Sequence, residues 1–329
     1  MFVGHALLAF AVAALVADWR GWEPRRALFV GSVAGAFAAI PDIDVAYALV
    51  GLLEWQLGDG ALGASAAFWD ASRGVHRSVT HSLVVAAVAA PAFGLLAVRG
   101  SSRRPRLARS VGIAVLAALV AIALVWDGPV GALVTGLFAV SGWVVARAIA
   151  HRSTLSPAAV AVAALWGLWS HPWGDLVTGS PPDWFFPFGS PVLESRVVLH
   201  ADPTLHLLGA FAIELATIWF ALAVVCRLTD RSILAAVDRR AGVGAAYGVA
   251  ALAVTPPTLA VSYHFVFSIL AVGIICGAIR ETPTATAASV SRRDRPELET
   301  LLEVGVTALA AVTVALAAFG AVYLVAIAP

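Results

Sequence analysis

Four short polar segments, each at the end of a long apolar run, carry the side chains of this sequence that are best suited to chemistry. They are His5, Pro41-Asp42-Ile43-Asp44, His76-Arg77-Ser78-Val79-Thr80-His81-Ser82 and His171-Pro172-Trp173-Gly174-Asp175. Imidazole nitrogens and carboxylate oxygens are ordinary ligands of zinc and of other divalent metals. We therefore predict that the four segments meet and bind metal.

The composition of the 329-residue chain predicts a polytopic membrane protein. Apolar residues make up 60% of the sequence and charged residues 12%. A spanning segment needs about 20 largely apolar residues, and it must be helical because lipid offers the backbone no hydrogen-bond partner. About ten candidate spans lie near residues 3–19, 26–50, 81–98, 110–126, 129–149, 156–170, 204–226, 241–260, 262–279 and 301–327. We therefore predict an all-α transmembrane bundle. The net charge of +1 says nothing about nucleic acid, but the sequence has no basic patch with interleaved aromatic residues, so we expect no nucleic-acid partner.

The distribution of arginine predicts the orientation of these helices. The chain has no lysine, and all of its 21 basic residues except Arg73, Arg77 and Arg196 fall in alternate loops. Because basic residues concentrate in cytoplasmic loops, both termini and all four polar segments should lie on the extracytoplasmic side. The polar residues lie about 22–28 Å from the arginines that bound their helices, just inside a hydrocarbon core of about 30 Å. This depth favours a lipid or lipid-linked substrate.

A proline separates the aspartates of the second segment from the helix before them. Pro41 lacks a backbone donor and disfavours helix at the preceding residue, so we expect a break at Ile40. The break would expose Asp42 and Asp44 at membrane depth, where a carboxylate is costly unless it is paired or bound to metal. The alternative is that the two aspartates begin a solvated loop.

The spacing of the histidines in the third segment limits how they can share a metal. His76 and His81 are five residues apart, which is about 140° around a helix. They can share an ion only if His76 precedes the helix and His81 lies in its first turn. Ser78 or Thr80 would then cap that helix.

The fourth segment offers a pair of ligands with helical spacing. His171 and Asp175 are four residues apart, so they lie on one face if the segment is helical. A single pair of this kind also arises by chance. His5, a lone histidine in an apolar helix, is by itself more often a packing or capping residue.

A long outer loop, from Leu176 to Pro203, follows the fourth segment. It carries four aromatic residues, which are Trp184, Phe185, Phe186 and Phe188. Aromatic residues at this height are typical of a membrane-interface belt, and they would also suit a lid over the site. The belt is the favoured interpretation.

Two other functional classes stay open. A transporter or channel would carry metal ions or protons through buried polar groups. Glu214, inside the run 204–226, is one such group, but no polar partner follows it towards the cytoplasm. A non-catalytic structural membrane protein would use the polar segments only as helix caps. The roles of His200, His206 and His264 stay open as well.

The four segments together resemble a known family. His5, Pro41-x-Asp42, the heptapeptide that begins at His76, and His171-x-x-x-Asp175 are similar to the membrane-bound metal-dependent hydrolases, also called LexA-binding, inner-membrane-associated hydrolases. The resemblance covers about residues 1–190. It implies a multi-pass inner-membrane protein, a divalent metal and a hydrolytic reaction, with kinship to zinc phospholipase C and P1-type nuclease, which cleave phosphoesters. Nothing in the arginine loops indicates a LexA-type partner.

Carried over to this sequence, the resemblance nominates six metal ligands, which are His5, Asp42, His76, His81, His171 and Asp175. We expect zinc, with manganese as the alternative. A divalent metal brings the pKa of bound water towards about 7, and Asp42 or Asp44 would orient that water or take its proton. Arg77 is the nearest cation able to bind a phosphate bidentately.

These predictions divide the chain into four parts. They are a metal-site domain over residues 1–203, three further transmembrane helices over 204–280, a polar cytoplasmic linker over 281–300, and a C-terminal transmembrane helix over 301–329.

Overall fold

The computed structural model of the protein describes residues 2–45, 60, 63, 77, 79–179, 181–189, 193–278 and 297–328. Across these ranges the chain forms ten α-helices, and its only extended pairing is one isolated bridge between Thr258 and Val261. The all-α prediction is therefore confirmed. The chain divides into two compact units, Met1–Val197 and Val198–Pro329.

Five helices build the first unit. They are α1 (Phe2–Trp19), α2 (Pro24–Ala38), α3 (Leu83–Leu96), α4 (Arg103–Arg152) and α5 (Pro157–Thr178). Helix α5 packs against α1, α2 and α3, and α3 also packs against α4. The rings of Phe37, Phe93 and Phe138, from α2, α3 and α4, meet in the core with centroid separations of 5.3 and 5.9 Å.

Helix α4 comprises two segments that fold back on each other at Gly128. This residue has φ 69° and ψ −162°, a conformation that glycine adopts without steric cost. Arg109 in the first segment donates to the carbonyl of Val98, and Arg147 in the second donates to that of Leu96. Both ends of α4 therefore lie at the C-terminal end of α3, as expected for the two helices predicted near 110–126 and 129–149.

Helix α2 ends where the sequence predicts. Its last residue is Ala38, and its C-cap is Ala39. A 3-10 turn over residues 41–45 follows and carries both aspartates of the second polar segment. The predicted break at Ile40 is confirmed, and residues 46–50 of the predicted span 26–50 lie outside the described part of the chain.

Glycine allows α5 to approach α2 closely. A Cβ atom at Gly167 would lie 2.3 Å from the carbonyl oxygen of Ala34 and 2.8 Å from the backbone nitrogen of Ala38. Small residues at helix interfaces let backbones approach in this way. The close approach places His171, one turn further along α5, beside the C-terminal end of α2.

The second unit contains the remaining helices. They are α6 (Pro203–Leu228), α7 (Ile233–Ala236), α8 (Ala250–Ala253), α9 (Tyr263–Ala278) and α10 (Glu297–Ala326). Residues 241–260, predicted as one spanning helix, instead form a 3-10 segment (Arg239–Val249) and then the four-residue α8. The three glycines of this stretch weaken an α-helix, and Pro256 and Pro257 prevent its continuation.

Four helical stretches of the described chain are long and apolar enough to cross a membrane, namely Pro24–Val45 (α2 with the 3-10 turn that follows it), Arg103–Arg152, Pro203–Leu228 and Leu301–Ala326. Three shorter apolar helices accompany them, Val3–Trp19, Leu83–Leu96 and Tyr263–Ala278. Helix α10 begins at Glu297, inside the segment predicted as a polar linker, and residues 281–296 lie outside the described ranges.

We predict that Gly167→Ala lowers the free energy of unfolding by about 1–3 kcal/mol, because the added methyl group collides with backbone atoms of α2. Gly136→Ala is the matched control, since a Cβ there meets nothing within 4 Å and alanine favours helix by up to about 1 kcal/mol. Thermal unfolding of the detergent-purified protein measures both effects. Equal unfolding temperatures for the two variants would contradict the close α2–α5 contact.

Candidate metal centre

The first unit brings most of the nominated side chains into one buried cluster. His5 comes from α1, Asp42 and Asp44 from the turn after α2, His81 from a 3-10 turn (Val79–His81) before α3, and His171 and Asp175 from α5. The side chains of His5, His81, His171 and Asp175 are at most 3% exposed, and that of Asp42 is 12% exposed. Two groups of potential ligands, His5–His171–Asp175 and Asp42–His81–His171, each lie within 4.8 Å.

Three atoms define the centre of the cluster. The Nε2 atoms of His81 and His171 are 3.0 Å apart, and Asp42 Oδ1 lies 3.9 Å from the first and 3.4 Å from the second. A point equidistant from all three lies about 2 Å from each, which matches the bond lengths of zinc to nitrogen and oxygen. The donor set and its spacing therefore fit a divalent metal.

The hydrogen bond on the far side of His171 determines its tautomer. Its Nδ1 lies 2.7 Å from the carbonyl oxygen of Ala38. A carbonyl can only accept, so Nδ1 carries a proton, and in the neutral ring the Nε2 lone pair points into the cluster.

A two-step relay orients His81 in the same way. The hydroxyl of Thr80 donates to Asp44 Oδ2 at 3.2 Å and lies 2.9 Å from His81 Nδ1. With its proton given to Asp44, the hydroxyl oxygen accepts from Nδ1–H, so the His81 Nε2 lone pair also faces inward. When both rings are neutral, two lone pairs are opposed at 3.0 Å, and a proton or a metal ion between them removes their repulsion.

Asp175 closes the opposite side of the cluster. Its Oδ2 lies 3.3 Å from His81 Nε2 and 3.7 Å from His171 Nε2, and its Oδ1 lies 3.3 Å from His5 Nε2. Within the described residues, His5 Nε2 and Asp175 Oδ2 are buried without a hydrogen bond of acceptable geometry. Buried polar atoms of this kind are costly, and metal coordination would satisfy both.

Arg77 and Asp44 surround the cluster rather than line its centre. The Arg77 guanidinium donates to Asp175 Oδ1 at 3.0 Å and to the Asp175 carbonyl at 3.3 Å. Its backbone N–H donates to Asp44 Oδ2 at 3.1 Å, with φ at 75°. A Cβ at Gly179 would collide with the guanidinium, so a side chain there would displace Arg77 from this position. Arg77 thus holds Asp175 in place, and Asp44 holds His81 through Thr80.

Two predictions for the third polar segment concern His76 and the cap of the helix that follows His81. His76, like Ser78, lies outside the described residues. The helix after His81 is predicted from the sequence to be capped by Ser78 or Thr80. Its cap is instead Ser82, whose hydroxyl accepts from the N–H groups of Val84 and Val85 at 3.2 and 3.4 Å. Thr80 is therefore available to the relay described above.

The outer loop braces the turn that carries His81. The hydroxyl of Ser82 donates to the carbonyls of Trp184 and Phe186, and the Leu83 N–H donates to the first of these at 2.9 Å. Trp184 and Phe186 are buried, whereas Phe188 is 80% exposed. The belt interpretation therefore fails for Trp184 and Phe186, which pack inside the unit. The residue pattern indicates neither these contacts of Ser82 nor the contact between His171 and the Ala38 carbonyl, because backbone acceptors leave no signal in the sequence.

Burial also affects a carboxyl of this brace. The backbone N–H of Asp183 donates to the carbonyl of Arg77 at 3.1 Å. Partial burial raises the pKa of the Asp183 side chain, and the nearby Asp127 carboxylate raises it further. Asp183 lies in the loop and is not one of the potential ligands.

In the second unit the polar residues mainly organise the start of α6. Asp202 caps this helix by accepting from the Leu205 N–H at 2.8 Å, and its other oxygen accepts from the Tyr323 hydroxyl at 3.0 Å. The bond from Leu205 is the main cause of the lowered pKa of the Asp202 carboxyl. His206 Nδ1 accepts from the Leu199 N–H at 3.1 Å. Among the described residues of this unit, no group of three potential ligands comes together.

The fold and the cluster define an all-α membrane protein with a buried His/Asp centre. A family model described as YdjM inner membrane protein matches residues 1–256, so the chain belongs to this family. The match continues beyond residue 190, where the predicted resemblance ended. No curated protein and no solved structure matches the chain.

We predict that the protein purified without chelator contains one or more divalent ions, and that His81→Ala and Asp175→Ala each lose them, because both side chains face the centre. His264→Ala is the control, since His264 is exposed in the second unit. Elemental analysis of the purified proteins measures the content. A wild-type protein without metal would mean that the polar segments act as helix caps or as a proton path.

We predict that Asp44→Asn retains metal but binds it about 10–100-fold more weakly, the usual cost of losing a partner that orients a ligand. Asparagine keeps the size of the side chain and removes the charge behind Thr80 and His81. Competition with a metal chelator measures the affinity, with Asp42→Asn as the comparison that alters an inward-facing ligand. Metal loss from Asp44→Asn as complete as that from His81→Ala would instead make Asp44 a direct ligand.

Proposed function

We propose that the protein is a metal-dependent hydrolase that cleaves a phosphoester bond in a lipid or lipid-linked molecule. The observation that carries this proposal is the opposed pair of imidazole Nε2 atoms, 3.0 Å apart, flanked by Asp42 Oδ1 and Asp175 Oδ2. Two neutral imidazoles and two carboxylates form a donor set suited to zinc, and to manganese as well. When bound, such an ion activates water and stabilises the charge of the transition state.

The exposure of each side chain indicates whether it would act as a metal ligand, as a base or as an orienting residue. His81, His171 and Asp175 are nearly inaccessible and suit a fixed ligand role, with His5 against the far side of Asp175. Asp42 has the most exposed side chain of the potential ligands, so it is the carboxylate best placed to meet a substrate or to take a proton from water. Asp44 is fully buried behind Thr80, which favours an orienting role over that of a base.

The position of Arg77 suggests an indirect role in phosphate binding. Its guanidinium is bound to Asp175 and its side chain is 11% exposed. It neutralises part of the negative charge that two carboxylates bring to a site for an anionic phosphoester. A substrate phosphate would approach on the side of Asp42 and Arg77, the more exposed of the described site residues.

The location of the cluster along the helices supports a lipid substrate. His81 immediately precedes α3, and Arg99 follows α3, about 27 Å away at 1.5 Å per residue. Against a hydrocarbon core of about 30 Å, the cluster would lie within the apolar layer, near one boundary. A phosphoester attached to a lipid can reach this depth without leaving the membrane, whereas a freely soluble polymer cannot.

We predict that the purified protein hydrolyses a phosphodiester lipid in mixed micelles faster than soluble bis(p-nitrophenyl) phosphate, and only when loaded with metal. His81→Ala and Asp175→Ala should reduce the rate to that of the chelated protein, because each removes an inward-facing ligand. His264→Ala should retain the wild-type rate. The released phosphorylated product is quantified before chelation, after it, and after metal is restored.

Two outcomes would overturn the proposal. Metal-loaded protein that cleaves no phosphoester would leave a metal site without hydrolysis. Metal or proton flux in liposomes that Glu214→Gln abolishes would favour transport, because Glu214 lies on α6 and the hydrolase site does not use it.

A further inference from the structure

A second polar site lies at the C-terminal end of α3, at the other end of this helix from the His/Asp cluster. A cavity of about 310 Å³ there is lined by Arg99, Gly100, Arg109, Arg147, Ala150 and His151. We call it the arginine cavity. Its three guanidinium groups come from separate places in the chain, namely the end of α3 and each of the two segments of α4.

Backbone carbonyls hold these guanidinium groups in position. Arg99 Nε donates to the carbonyl of Ala150 at 2.7 Å, and another of its nitrogens donates to those of Ser153 and, at 3.1 Å, Leu155. Arg109 donates through a single nitrogen to the carbonyls of Val98 and Gly100, at 2.9 Å each. Since a guanidinium has five N–H donors, these bonds fix the side chains and leave further donors for a ligand.

Arg147 extends the same arrangement towards His151. One of its terminal nitrogens donates to the carbonyl of Leu96 at 3.2 Å, and the other lies 2.9 Å from His151 Nε2. Because arginine can only donate, His151 Nε2 is the acceptor in this pair. The positive charge at the cavity is therefore carried by the three arginines.

This charge is not neutralised within the described part of the protein. Arg99, Arg109 and Arg147 bond to carbonyls and to His151, and no described carboxylate lies within ion-pair distance of them. Like charges gathered around a concave site create a strong local field for an anion. The planar fork of arginine matches the oxygen atoms of a phosphate group.

The surface beside the arginine cavity is apolar and suits acyl chains. Val140 and Val144, which precede Arg147 on the second segment of α4, are 57% and 51% exposed. A ligand that combines a phosphate with long hydrocarbon chains would occupy both features, and basic pockets at the ends of membrane helices bind such lipids.

We propose that the arginine cavity binds the phosphate of an anionic phospholipid, whose acyl chains lie along the exposed apolar face of α4. This site is separate from the proposed hydrolase centre, since the 14 residues of α3, about 21 Å of helix, lie between them. The lipid bound here is a structural ligand and not a substrate.

The test uses the full-length protein in detergent, titrated with phosphatidylglycerol, phosphatidylcholine or inorganic phosphate. Bound lipid is counted by native mass spectrometry, and the dissociation constant is obtained from the titration. We expect phosphatidylglycerol to bind at least about tenfold more tightly than phosphatidylcholine, because both carry a phosphate but the quaternary ammonium of phosphatidylcholine is repelled by the three guanidinium groups. Binding should weaken as salt is added.

Variants locate the bound lipid. Arg109→Gln and Arg147→Gln should each weaken phosphatidylglycerol binding about tenfold, whereas Arg152→Gln is the control that removes the same charge from an exposed residue outside the lining. If a glutamine variant does not fold, Arg109→Lys and Arg147→Lys keep the charge and lose the planar fork, and they should show a smaller loss in the same order.

Three results would overturn the proposal. Equal binding of the two lipids would remove the role of the anionic headgroup. An equal loss with Arg152→Gln would mean a diffuse charge effect instead of a site. Inorganic phosphate that binds as tightly as phosphatidylglycerol would assign the cavity to a soluble anion. None of these results bears on metal content or hydrolysis, so the two proposals fail independently.

Discussion

The opposed imidazoles of His81 and His171 impose the constraint on which the rest of the first unit depends. Their distal Nδ1 atoms are committed to the Thr80 hydroxyl and the Ala38 carbonyl, so two lone pairs face each other at 3.0 Å with carboxylates on both sides. When both rings are neutral and no cation is bound, this arrangement concentrates repulsion in a buried site, where charge is poorly screened. With a cation, the same atoms become a preorganised donor set.

Close packing between helices is what brings the two histidines together. Gly167 lets α5 approach the backbone of α2, which places His171 against the last carbonyls of that helix. The outer loop does the same for His81, because its Trp184 and Phe186 carbonyls hold Ser82 at the start of α3. The packing at Gly167 and the backbone acceptors of Ser82 involve none of the potential ligands, yet they bring the two histidines together.

Charge is organised at both ends of α3. At its N-terminal end, the carboxylates of the cluster are balanced partly by Arg77, which binds Asp175 directly. At its C-terminal end, Arg99, Arg109 and Arg147 are held by carbonyls, which orient guanidinium groups without neutralising them. The N-terminal end of α3 is thus suited to a cation and the C-terminal end to an anion. Both electrostatic preferences are strong where the surroundings are apolar, because charges are poorly screened there.

The sequence by itself determined the helical class, the membrane environment, the break before Pro41 and the residue types of the site, because apolar run length, proline and side-chain chemistry are local properties. It did not determine which polar residues face inward. The 3-10 segment in place of the predicted span 241–260 also has a local cause, its glycines and prolines. Only the tertiary structure placed Asp44 behind Thr80 and engaged Arg77 with Asp175. These outcomes depend on backbone carbonyls and on contacts between helices distant in the chain, and neither leaves a periodic signal in the residues themselves.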